Sequence, residues 1–176
     1  MSAPKNRVGW ALREARVVYE RAERHDLPRR EIDSSADLVD LVHAKNSPLR
    51  RLVDSPEEHF IVLCLNTRNE PTGWYLAGKG GGATVAVDPA SVLRAMLLQL
   101  ADSAILLHNH PSANPTPSSD DIALTQRIVD GADLLGMRIL DHVILTEDPL
   151  RWYSFRDAGV VFAMAPGSVV RLKHGR

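Results

Sequence analysis

Ala104-Ile105-Leu106-Leu107-His108-Asn109-His110-Pro111-Ser112-Ala113-Asn114-Pro115-Thr116-Pro117-Ser118-Ser119-Asp120-Asp121-Ile122-Ala123-Leu124-Thr125-Gln126-Arg127 changes character three times. Ala104 to Leu107 is a short apolar run, the pattern of a buried strand. It delivers the chain to His108 and His110. Side chains two apart on a strand point to one face, so the two imidazoles can converge. Pro111, Pro115 and Pro117 then stiffen the loop, because each ring fixes φ and cuts the entropy lost on ordering. A helix from about Ser119 to Leu135 comes next, and Asp121 in its first turn is placed to return to the imidazoles. Two neutral imidazoles and one carboxylate leave a fourth tetrahedral position open, the arrangement of a catalytic zinc. The plainer readings are a structural histidine at a strand end and a capping box made by Ser118 and Asp121. Capping and metal binding do not exclude each other, and the full pattern H-x-H-x7-S-x2-D is more demanding than either part.

The flanks supply the rest of an α/β domain. Phe60 to Leu65 is a continuous apolar run and reads as a buried strand, with a second strand at Gly73 to Ala77. Gly78 to Gly82 lacks the G-x-x-x-x-G-K-[ST] order of a phosphate loop and reads as a flexible hairpin loop, which Ala83 to Val87 leaves as strand. Asp88-Pro89 places an acceptor at the cap and proline in the first turn of a helix running to about Ala101. Strands are expected at Met137 to Thr146 and Trp152 to Phe155. Upstream, Ser34 or Ser35 caps a short helix through about His43, with Leu38, Leu41 and Val42 on its apolar side and Pro48 closing it. Asn6 to His25 reads as a further helix, since Val8, Leu12, Ala15, Val18 and Ala22 fall on one face. Strands and helices alternating after residue 55 predict a mixed α/β domain.

Composition removes several function classes. The 176 residues suffice for one core without staples. Cys64 is the single cysteine, which forbids an internal disulfide and a thiolate-built zinc site. Lys+Arg number 21 against Asp+Glu 22, a net charge of -1, so no polyelectrolyte signal for nucleic acid or membranes exists. The N-terminus lacks the apolar core of a secretion signal, and the run Val92 to Leu107 is broken by Arg94, Gln99, Asp102 and Ser103. A cytoplasmic protein without a membrane span is the expectation. H-E-x-x-H is absent, which removes the common zincins. One cysteine cannot supply the zinc-deaminase motif. The consecutive letters H-N-H do not fit the HNH nucleases, which spread their motif over a ββα unit.

With these classes removed, the sequence resembles the RadC family, a JAB/MPN domain with a JAMM zinc metalloprotease motif. The resemblance rests on His108 to Arg127, on Leu135-Gly136-Met137-Arg138-Ile139-Leu140-Asp141-His142-Val143-Ile144, and on Tyr153-Ser154-Phe155. It implies the α/β MPN (JAB) fold: a mixed, curled β-sheet flanked by helices, similar to the cytidine-deaminase-like architecture, with a short helical N-terminal extension. The implied division is residues 1–36 as extension, 37–162 as the domain and 163–176 as tail. It implies one catalytic Zn²⁺ on His108, His110 and Asp121. Glu58 matches the family's general base, with Glu57 as its neighbour in register, and Ser118 matches the serine that stabilises the oxyanion. Ala113 stands where the family has glycine, which costs strain if φ there is positive. Ala90 stands where the family commonly has arginine, after Pro89.

The resemblance therefore implies a zinc-dependent hydrolase that cleaves a peptide or isopeptide bond in a peptide or protein substrate of unknown identity. The alternatives are a non-catalytic zinc-binding MPN module and a DNA-repair-associated role. The latter, with nucleic acid as partner, is implied by the family name alone. Oligomeric state is not readable. Asp141 is expected either to accept a hydrogen bond from a ligand imidazole or to form a satisfied polar pair at the sheet edge. His59 alternates away from Glu58 and reads as structural, and Cys64 as a small core residue.

Overall fold

The computed structural model describes residues 30–80 and 86–160. The expected helix Asn6 to His25, Ala83 to Val85 of the expected strand, and the tail from residue 163 lie outside the described residues. In chain order the elements are α1 (Ser35–His43), α2 (Arg50–Val53), β1 (Glu58–Leu65), β2 (Pro71–Gly80), α3 (Pro89–Leu98), β3 (Ser103–Asn109), α4 (Ser119–Leu134), β4 (Arg138–Leu145) and β5 (Trp152–Ser154). One sheet, ordered β2-β1-β3-β4-β5, joins the strands. β3 and β4 are parallel; the other neighbours are antiparallel.

β1 and β3 read as continuous apolar runs because both faces of the sheet are covered. Phe60, Val62 and Cys64 of β1 with Ala104 and Leu106 of β3 pack on Val92 and Met96 of α3 and on Ile128 and Ala132 of α4. The alternate residues Ile61, Leu63, Leu65, Ile105 and Leu107 pack on Leu38, Val39 and Val42 of α1. Each fully buried Leu, Ile, Phe or Met contributes about 1.5–3 kcal/mol. The burial therefore pins the register, since a one-residue slip would exchange the two faces. This mixed α/β sheet flanked by helices is consistent with the JAB/MPN fold.

The helix starts are built as the sequence implies. Ser34, not Ser35, caps α1, its hydroxyl accepting from the Asp37 N–H at 3.1 Å in a reciprocal capping box. Asp88 accepts from the Ala90 N–H at 3.0 Å ahead of Pro89. Three expectations need correction. α3 stops at Leu98, short of Ala101, because Leu100 turns left-handed at φ 49° to feed β3. β2 continues through Gly78, Lys79 and Gly80, which pair with Phe60, His59 and Glu58; three of the five residues of the supposed hairpin loop are strand. Ala86 and Val87 are not strand. The four-residue α2, too short to show a period, was not legible.

One irregularity sets which face the residues of β4 present. Ala104 pairs with Ile139 but Ile105 pairs with Asp141, so Leu140 is an extra residue in β4. Such a bulge reverses the facing of every residue beyond it.

Candidate metal centre

The site grows from the open end of the β1–β3 ladder. Phe60 pairs with His108, so Glu58 and His110 lie one step further along on the same face. The prolyl loop then folds back. Ala113 N–H donates to the His110 carbonyl at 3.1 Å, and Ala113 sits at φ 58°. This is the left-handed backbone that glycine adopts without cost, so the departure at Ala113 carries the expected strain. The turn brings the Asn114 carbonyl to 2.7 Å from His110 Nδ1. A carbonyl only accepts, so Nδ1 carries the proton and Nε2 presents its lone pair to the site. The two rings stand perpendicular with centroids 4.6 Å apart.

Asp121 arrives from α4. Ser118 caps the helix and forms a reciprocal box with Asp121: the Ser118 N–H donates to Oδ2 at 2.8 Å, the Ser118 hydroxyl to the same atom at 2.6 Å, and the Asp121 N–H to Ser118 Oγ at 3.1 Å. Asp121 Oδ1 lies 3.2 Å from His108 Nδ1, and Oδ2 lies 3.8 Å from His110 Nε2. Burial opposes ionisation of this carboxyl, but His108 and the Ser118 donors outweigh it and hold the group well below the usual carboxylate range. Glu58 Oε2 stands 3.9 Å from His108 Nε2. Glu58, His108 and His110 each offer a ligand atom within 4.8 Å of the others.

His108 is the test of fit. It is 4% exposed, and neither ring nitrogen makes a hydrogen bond, although Nδ1 stands 3.2 Å from Asp121 Oδ1 in an ion-pair contact. A neutral imidazole has one donor and one acceptor nitrogen to satisfy, and leaving them unmet in a buried position costs about 1–3 kcal/mol. Ringed by two carboxylates and a second imidazole, it is built for a cation. The nitrogen-and-carboxylate donor set suits zinc. Ser118's single hydrogen is directed at Asp121, so in this state the hydroxyl holds that carboxylate, and donation into the cleft requires it to turn.

Of the two readings of Asp141, support of a ligand imidazole is set aside and the satisfied polar group stands, with Ser154 and Arg156 as its partners. Its Oδ2 accepts from the Ser154 hydroxyl at 2.6 Å and its Oδ1 from the Arg156 N–H at 3.0 Å. Plain alternation from Ile139 would put Asp141 on the His108 face; the extra Leu140 turns it to the opposite one, beside Ile105. Burial pushes its carboxyl up to about 6, against the pull of those two donors. His142 takes the facing instead. Its ring lies 6.1 Å from His108, and Nδ1 is 2.7 Å from Thr125 Oγ1, which donates to the Asp121 carbonyl at 2.6 Å. Burial, with His108 next, pushes His142 down to about 3, so it is a neutral prop under α4. His59 faces away from Glu58, and Cys64 is fully buried with its thiol pushed up to about 11 by burial. Sequence reasoning missed the Asn114 carbonyl, Thr125 and the bonding of Asn109. Only Asn109, between the histidines, carried a positional signal.

The site opens into a cleft of about 740 Å³ lined also by Val87, Leu124 and Arg127, a size typical of ligand clefts. Among the described residues no helix is long and apolar enough to cross a membrane.

Comparison with known proteins shows the family of the fold. Residues 32–160 match the family model of the RadC-like JAB domain. A UPF0758 protein of Methanosarcina barkeri is 34% identical over 149 residues, 82% of this chain and 62% of that protein. A UPF0758 protein of Desulfitobacterium hafniense is 36% identical over 135 residues, 77% of this chain and 56% of the relative. One from Caldanaerobacter subterraneus is 39% identical over 103 residues, 58% and 43% of the two chains. The chain thus spans about three-fifths or less of the length of these curated relatives.

Proposed function

The chain belongs to the RadC-like JAB domain family, and from that premise we propose that it is a zinc-dependent hydrolase of the JAMM type, cleaving a peptide or isopeptide bond. The observation that carries this reading is His108: a buried imidazole with no hydrogen-bond partner, facing Asp121, His110 and Glu58. His108, His110 and Asp121 would hold the metal. Bound zinc supplies Lewis acidity, lowering the pKa of a coordinated water to about 7 and polarising a carbonyl.

The chain's own groups divide the remaining work. Glu58 is only 17% exposed at its side chain and accepts no hydrogen bond among the described residues, so its carboxylate is available to a proton. It takes the proton of the attacking water at Oε2 and returns it to the leaving nitrogen. The Asn114 carbonyl keeps His110 in the tautomer that offers Nε2. Ser118 anchors Asp121 and, once its hydroxyl turns from Oδ2, can donate to the developing oxyanion. Phe60 and Leu124 supply apolar walls that exclude water around these charges.

The test is zinc content beside turnover. Wild type and Glu58→Ala are expected to bind one zinc per chain, while His108→Ala and Asp121→Ala lose it. On a peptide and isopeptide library, Glu58→Ala is expected to fall about 10²–10⁴-fold below wild type. Zinc-free wild type after reconstitution sinks the metal reading. Zinc retained without turnover makes the chain a binding module instead.

A further inference from the structure

Asn109 stands between the two histidines in sequence but points to the other face of β3, away from both. It is 2% exposed. Its Oδ1 accepts from the His59 N–H at 2.6 Å. Its Nδ2 faces three backbone carbonyls: Glu57 at 3.0 Å, and Val53 and Ser55 each at 3.4 Å. The amide orientation is dictated by this set, since a flip would put oxygen against three carbonyls and the amide against an N–H.

The two shortest of these bonds fall on the residues immediately before and after Glu58. Asn109 therefore suspends the Glu58 backbone from both flanks and ties it to the strand that carries His108 and His110. β1 itself begins at Glu58, so no earlier strand residue holds that segment. Gly80 and Lys79 pair with Glu58 and His59 from β2, on the side away from the histidine strand, and the Lys79 ammonium lies 2.6 Å from the Glu57 carboxylate in an exposed side-chain pair. We propose that Asn109 is a positioning residue which sets Glu58 over His108. The proposal rests on the reading of Glu58 as general base. It assigns Asn109 no contact with metal or substrate.

The experiment compares zinc-reconstituted wild type, Asn109→Ser and Asn109→Asp, each with and without Glu58→Ala. Serine removes the grip on both flanks. Aspartate keeps the acceptor for the His59 N–H and sets an oxygen against the three carbonyls, so it breaks the Glu57 flank alone; should either variant fold poorly, the crystal structure of the other is read for the position of Glu58. Expected are a zinc dissociation constant within about threefold of wild type, short of the 10- to 100-fold that losing a ligand's own support brings. The kcat on a cleaved peptide falls about 100-fold, as for a catalytic group misplaced by roughly 1 Å, with KM little changed. In the Glu58→Ala background Asn109→Ser adds no further loss, because the group it positions is gone. Amide exchange speeds up over residues 54–59 and not over 104–110.

An additional loss of activity in the Glu58→Ala background, or loss of zinc with exchange opening across 104–110, marks Asn109 as merely structural and overturns the proposal. An unchanged kcat does the same. If the wild type binds zinc and cleaves nothing, the catalytic reading fails by itself. The positioning claim is then decided by the crystal structure of Asn109→Ser: Glu58 displaced from His108 supports it, and an unmoved Glu58 overturns it.

Discussion

Asp141→Asn separates a structural carboxylate from one that serves the metal. Asp141 is 2% exposed, and burial pushes its carboxyl up to about 6 from an ordinary 3.8. Below pH 3.8 the group is protonated in both folded and unfolded chains. Between 3.8 and 6 the unfolded chain ionises first, so this group's contribution to stability falls as pH rises and is lost above 6. A raise of about two units corresponds to roughly 3 kcal/mol at pH 7.5. Asparagine cannot ionise and escapes that penalty. It replaces one acceptor oxygen by a donor, however, and the Ser154 hydrogen loses its partner, costing about 1 kcal/mol. The variant is therefore expected to be about 1 kcal/mol less stable than wild type at pH 4 and about 2 kcal/mol more stable at pH 7.5. Urea unfolding of the metal-free proteins across this range reads the crossing. Zinc affinity should stay unchanged, because the carboxylate lies on the far face from His108. A stability difference that does not change sign with pH refutes the burial argument. A 10- to 100-fold loss of zinc affinity, the mark of a ligand's hydrogen-bond partner, refutes the placement.

The loop and the cap give two more expected outcomes. Ala113→Gly relieves the left-handed backbone at φ 58° and should raise stability by about 1 kcal/mol, or about 2–4 °C in Tm for a chain of this size; calorimetry showing no gain removes the strain reading. Ser118→Ala removes the α4 cap and one donor to Asp121. It should cost about 1 kcal/mol in urea unfolding and weaken zinc about 10-fold in chelator competition, and unaltered zinc affinity would show that Asp121 needs no anchor.

Much of the molecule was readable because the relevant information is local. Strand β3, the start of α3 at Asp88-Pro89, the box between Ser118 and Asp121 and the convergence of His108 with His110 each depend on residues within one or two turns of chain. The end of α3 was misjudged because apolar residues continue past Leu98, and nothing in them announces that Leu100 turns left-handed. Gly78 to Gly80 look like a loop, yet they pair with β1, since backbone pairing tolerates glycine when a neighbouring strand supplies the partners. Asp141, for which two readings stood open, is the more instructive. Strand alternation could not choose between them, because one extra residue opposite Ala104 and Ile105 inverts the facing beyond it.

The sequence alone limited the candidate donors and their order: one cysteine left histidine and carboxylate for any metal, and H-x-H with a downstream S-x-x-D supplied the candidates. The tertiary structure decided what supports them. Asn109 grips a segment 50 or more residues away, His142 reaches Thr125 across the β4–α4 layer, and the Asn114 carbonyl orients His110 only after the loop has turned. Such contacts leave no period or motif, because they depend on which distant backbone groups remain unpaired when the sheet closes.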